Sequence, residues 1–87
     1  MIHDIETFII TNLEEKSPLP GETLEEKLSY PYLDQGHVDS FGIIELVIAV
    51  EQRFGVRLDQ HDLQSDEIRT PKGFAKLVAR HVGQGGS

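Results

Sequence analysis

Ile2, Ile5, Ile9 and Leu13 recur at steps of three and four, with Phe8 beside them, which is the stripe of an amphipathic helix. Ser17-Pro18 and Pro20-Gly21 end it, because proline lacks an amide donor and disfavours helix in the residue before it. A first helix is therefore expected from about Ile2 to Lys16. From Ser17 to Val38 the chain carries Pro18, Pro20, Gly21, Pro31 and Gly36, with one helical turn possible around Leu24 to Leu28. Connections this long are uncommon in compact domains. Leu24, Leu28, Tyr30, Tyr32 and Leu33 supply apolar anchors, so an ordered crossover lying on the body is expected.

The segment from Ser40 to Phe54 has no proline, and Ile43, Leu46, Val47, Val50 and Phe54 form a broad helical stripe. Asp39 or Ser40 supplies its N-cap, since either side-chain oxygen can accept an orphan amide. Gly55 is placed to stop it. Phe41, Ile44 and Ile48 widen the apolar arc, so this helix is either central or offers an apolar patch to something else. Val56 and Leu58 continue in a short extended stretch, and Asp59 is positioned to cap a turn through Leu63. Thr70-Pro71 is a helix start with threonine as N-cap and proline at the first helical position. Phe74, Leu77, Val78 and His81 form the stripe of this last helix, and Gly83 is expected to end it. The pattern holds no repeats and no clear strand. It predicts an all-α fold of three main helices and a short one.

Length and charge narrow the function classes. Eighty-seven residues make one domain with a thin core, which leaves little room for a deep catalytic cleft. There is no cysteine, so neither disulfides nor thiolate metal sites staple the fold. The apolar run Ile43–Val50, broken by Glu45, is far shorter than a bilayer span of about 20 residues. The amino-terminal Met-Ile-His-Asp-Ile-Glu lacks the basic region of a signal peptide. A soluble cytoplasmic monomer without membrane insertion is the expectation. The formal net charge of −7 is unevenly spread: through Glu51 eleven acids face only Lys16 and Lys27, whereas from Gln52 onward four acids face six bases. Such an acidic region repels nucleic acid and suits partners with basic docking surfaces. Acidity also keeps a small protein soluble without any partner.

Asp34-Gln35-Gly36-His37-Val38-Asp39-Ser40-Phe41 leads directly into the long helix. Here the chain resembles the acyl carrier proteins, in which an Asp-Ser-Leu triplet opens the second helix of a four-helix bundle. The likeness continues through Ile43-Ile44-Glu45-Leu46-Val47-Ile48-Ala49-Val50-Glu51-Gln52-Arg53-Phe54-Gly55-Val56-Arg57-Leu58, an apolar helix with an acid five residues after the serine and a Phe-Gly stop. Asp-Ser alone is a weak signal; with matching helix and loop lengths on both sides it is a strong one. The resemblance implies a four-helix bundle with a long loop between helices one and two and a short third helix. It implies a carrier domain over residues 1–82, and the glycines after it make residues 83–87 the expected flexible tail. It further implies 4′-phosphopantetheine moved from coenzyme A to Ser40 by a phosphopantetheinyl transferase, with Asp39 recruiting the transferase or its metal. Phe41, Ile44, Glu45 and Ile48 then form the face that docks loading and transfer enzymes, although Ile44 and Ile48 are equally readable as core. Such a carrier holds acyl or aminoacyl groups as thioesters and is not itself an enzyme.

The chain departs from the family pattern at three places. Phe41 replaces the usual leucine, Gly42 stands where fatty-acid carriers often place an acid, and Gln52 replaces another acid. The form Asp-Ser-Phe-Gly is more like stand-alone carriers with dedicated cargo, and a polyketide, mixed peptide or other specialised pathway is the preferred expectation. A D-alanyl or other aminoacyl carrier is the alternative. A helical interaction module without a prosthetic group is the rival from another class. His3, His37, His61 and His81 lack zinc spacing and read as surface residues, with His37 near enough to Ser40 to contact a phosphate. A Ser40–His37–Asp39 triad is disfavoured, because no Gly-x-Ser-x-Gly elbow is present and sequence neighbours seldom hold triad geometry. The acids show no EF-hand spacing.

Overall fold

The computed structural model describes residues 2–85, which form α1 (Ile2–Glu14), α2 (Leu24–Leu28), α3 (Ser40–Phe54), α4 (Gln60–Leu63), a 3₁₀ turn (Asp66–Arg69) and α5 (Pro71–Gly85). The described residues contain no strand, so the fold is all-α. α1 packs along α5 and against α3, the 3₁₀ turn lies on α5, and α2 touches both α1 and α5. No helix among the described residues is long and apolar enough to cross a membrane.

The helical stripes bury as their spacing requires. Ile5, Ile9, Ile10 and Leu13 of α1 meet Leu46, Val47 and Val50 of α3 and Phe74, Ala75 and Val78 of α5 in one core. Ile2, the first member of the α1 stripe, stays exposed. α1 stops at Glu14, two residues before the expected end. The Lys16 amide there donates to Leu13 O at 3.1 Å, a tightened last turn that turns the chain toward the prolines.

The long connection lies on the body, as its apolar residues led us to expect, but with different anchors. Leu28 and Tyr32 are buried, Tyr30 and Leu33 are partly buried, and Leu24 is exposed; Leu19 and Val38 complete the attachment. α2 forms because Thr23 Oγ1 accepts the Glu26 amide at 3.2 Å, and Lys27 Nζ reaches Glu14 of α1 at 2.9 Å. The Cα radius of gyration is 12.0 Å. A compact domain of this length is expected near about 12 Å, so the connection adds no excursion.

Local chemistry sets the remaining boundaries. The α4 cap is reciprocal: Asp59 Oδ1 accepts the Asp62 amide at 2.8 Å, and Asp62 Oδ2 accepts the Asp59 amide at 3.1 Å. Thr70 Oγ1 accepts the Gly73 amide at 3.1 Å and opens α5. The 3₁₀ turn has no periodicity to read, and its one buried anchor is Ile68. Gly83 does not end α5, which continues to Gly85. A glycine costs a helix about 1 kcal/mol relative to alanine. That is too little to stop one whose Phe74, Ala75, Leu77 and Val78 are already in the core. Residues 86 and 87 of the expected tail lie outside the described residues.

Candidate functional site

Asp39 and Ser40 are adjacent, exposed and chemically capable of the same capping task, and the backbone divides their roles. Asp39 is extended (φ −89°, ψ −172°), and its Oδ1 accepts the Gly42 amide at 2.7 Å, so Asp39 is the N-cap of α3. Ser40 is the first helical residue, and none of the side-chain hydrogen bonds among the described residues engages its hydroxyl. An exposed hydroxyl without a capping role, beside the positive end of a 15-residue helix, is accessible to a modifying enzyme. An anion attached to it would lie near the orphan amides of the first turn.

Gly42 belongs to the same construction. A Cβ there would fall 2.8 Å from Val38 Cβ, inside the distance real side chains keep. Val38 is a core residue, so the close approach of the incoming chain to the first turn of α3 requires a residue without a side chain. This accounts for glycine where fatty-acid carriers often place an acid.

Ser40, Ile43, Ile44 and Val47 are spaced to share one face of α3. Ile44 is 54% exposed, Ile48 46% and Phe41 78%, which settles the two isoleucines as surface residues. Between Ile43, Ile44, Val47 and Ile48 on one side and Leu63 and Ile68 on the other runs an apolar groove of about 230 Å³. The share of Leu63 and Ile68 was not legible beforehand, because each is a lone apolar residue in a short element.

Glu45 does not line that groove and forms an ion pair with Lys16 Nζ at 3.2 Å. The other acid of α3, Glu51, accepts the Leu58 amide at 2.8 Å and pins the turn after the helix. His37 Nε2 lies 2.9 Å from Leu13 O, and the ring packs edge-on against Tyr30. That side chain ties the connection to α1, which takes this ring nitrogen away from Ser40. His3 and His61 are exposed, while His81 is half-buried and meets Asp62 Oδ2 at 2.9 Å. Among the described residues no three His, Cys, Asp or Glu side chains are grouped as metal ligands.

Comparison with known proteins adds an independent line. The profile of the family described as phosphopantetheine attachment site matches residues 9–78. The D-alanyl carrier protein of Bacillus velezensis is 34% identical over 57 residues, covering 66% of this chain and 73% of the relative. The D-alanyl carrier protein of Abiotrophia defectiva is 30% identical over 61 residues, covering 70% and 77%. D-alanyl carrier protein 2 of Lactiplantibacillus plantarum is 24% identical over 80 residues, 92% of each chain.

Proposed function

The chain belongs to the phosphopantetheine attachment family of stand-alone, non-catalytic carriers, and from that premise we propose that Ser40 bears the arm and that its cargo is an aminoacyl group. The cofactor of this family is covalently bound 4′-phosphopantetheine. The residues fit it: Ser40 Oγ is exposed and outside the capping network, and the α3 N-terminus favours a phosphodiester. When bound, the group supplies a terminal thiol that carries cargo as a thioester.

In the attachment step Ser40 Oγ displaces an adenosine bisphosphate from coenzyme A at phosphorus, with its proton passing to the transferase. Asp39 contributes by its position: it fixes the first turn of α3 with one carboxylate oxygen and leaves the residue exposed toward the transferase and its metal. Phe41, Ile44 and Ile48 give transferase and loading enzymes an apolar docking surface, and Glu45 gives them a charge at its margin. The carrier itself raises the local concentration of cargo at each partner without performing chemistry.

The relatives named D-alanyl carrier proteins support an aminoacyl cargo over a polyketide or mixed peptide pathway. The observation that carries the attachment site is the division of labour at α3: Asp39 caps, so Ser40 does not have to. Intact mass after incubation with coenzyme A, magnesium and a broad-specificity phosphopantetheinyl transferase tests it. One phosphopantetheine is expected on the native chain and none on Ser40→Ala. Charging of the modified chain by a D-alanine-activating ligase and ATP, again read by mass, tests the cargo. A folded chain left unmodified beside a modified control carrier would overturn the attachment site and bring forward the interaction-module reading. Attachment without D-alanine charging would overturn the cargo alone.

A further inference from the structure

Lys16 and Lys27 are the only lysine or arginine residues among the first 51, and each is held by an acid on another element. Their settings differ. Lys27 and Glu14 are 27% and 30% exposed at 2.9 Å, a half-buried staple between α2 and α1. Lys16 and Glu45 are 50% and 65% exposed at 3.2 Å, and they join the end of α1 to the second turn of α3. A pair so open to water exchanges partners at little cost, because exposed pairs are worth about 0–1 kcal/mol.

The acid it holds is distinctive. In the first two turns of α3, Ser40 to Val47, Glu45 is the sole charged side chain. The next acid, Glu51, is committed to the Leu58 amide, and Asp39 to the Gly42 amide. Lys16 also lines two surface grooves together with Gly42, with Asp39 in one and Glu45 in the other. The ammonium is therefore paired with the one carboxylate of the first two turns of α3 that a basic partner would seek.

We propose that Lys16 is an internal competitor for Glu45, a gate that a basic side chain of the phosphopantetheinyl transferase must displace in order to dock on α3. This rests on the docking reading above. The gate works by occupancy: Lys16 holds Glu45, and the incoming base must take its place on that carboxylate. It lets a partner with a strong basic surface through and disfavours one whose attraction is only the general acidity of the chain.

Association with the transferase is measured in a Ser40→Ala background, so that binding is read whether or not attachment occurs. Lys16→Gln is expected to raise the association rate constant about two- to fivefold at low ionic strength, the range an exposed pair allows. The gain should shrink as salt rises to 0.15 M, about the concentration at which the screening length falls to ~8 Å. In a Glu45→Gln background the same substitution should give no gain. Lys27→Gln removes an equal charge elsewhere and should change the rate less. An unchanged or slower Lys16→Gln overturns the gate. A gain that persists without Glu45 assigns the effect to net charge and also overturns it. Absence of binding by every variant removes the docking surface and the gate with it, whatever the mass experiment shows at Ser40.

Discussion

Tyr32 is fully buried, and its phenol oxygen has no hydrogen-bond partner. Burial pushes its pKa above the usual phenol value. A buried hydroxyl without a partner carries its desolvation cost uncompensated, about 1–3 kcal/mol. Tyr32→Phe keeps the ring in the core and removes the oxygen. The variant is expected to be more stable by about 1 kcal/mol, seen as a higher urea midpoint with an unchanged slope. A lower midpoint would show that the hydroxyl finds a partner in solution. Tyr32 also marks a limit of sequence reading at this scale. Its place as an anchor was legible from the aromatic and leucine spacing of the connection, but where its hydroxyl would end up was not. Asp39 and Ser40 are a second case: either side chain can cap, and only the backbone angles at Asp39 decide between them. Ile44 and Ile48 are a third. The apolar arc of α3 is wider than the surface its neighbours cover, and no periodicity states which edge is left over.

Between elements, α5 comes close to the 3₁₀ turn at Gly73. A Cβ on Gly73 would lie 2.2 Å from the Glu67 carbonyl oxygen and 2.9 Å from its carbon. Those are backbone atoms, which cannot swing aside as a side chain can. Gly73→Ala should therefore force α5 and the turn apart and cost about 1–3 kcal/mol, the range for overpacking a well-filled contact. Thermal unfolding followed by circular dichroism checks this; a melting temperature equal to that of the native chain would show that the turn yields freely. Elements bounded by capping residues were the most legible, because the cap acts locally. Thr70-Pro71, Asp59 and Gly55 placed the starts of α5 and α4 and the end of α3. The 3₁₀ turn was not legible, since four residues with one buried side chain leave no period to detect. Nor was the Lys16–Glu45 pair, which joins residues 29 apart in sequence and depends on how α1 and α3 are set against each other.

Across the whole molecule, three carboxylates placed between elements or at a cap set the response to acid. A hydrogen bond from Lys27, helped by the Leu19 amide, holds Glu14 below its ordinary value of 4.5. The Asp62 amide does the same for Asp59 against 3.8, and the Arg80 guanidinium for Glu67 against 4.5. Arg80 Nη1 lies 2.8 Å from Glu67 Oε2, which fastens α5 to the 3₁₀ turn. In each case the folded chain binds its proton less readily than the unfolded chain. The stabilisation is therefore complete above the unfolded values and is lost as pH falls through the lowered ones. A second effect acts in the opposite direction at milder pH. The net charge of −7 repels itself, and partial protonation on the way to the isoelectric point near 4.9 relieves that repulsion. The two together predict a melting temperature that holds or rises as pH is lowered from neutrality toward the isoelectric point, then falls below the ordinary carboxylate range. Glu67→Gln keeps the shape of the side chain and removes one titrating group from the acid limb. It should lower the melting temperature at neutral pH and flatten its fall in acid, so that the two curves converge at the lowest pH. Parallel curves would mean that the Glu67–Arg80 contact gives no pH-linked stability, and would leave Glu14 and Asp59 as the acid-sensitive contacts of the fold.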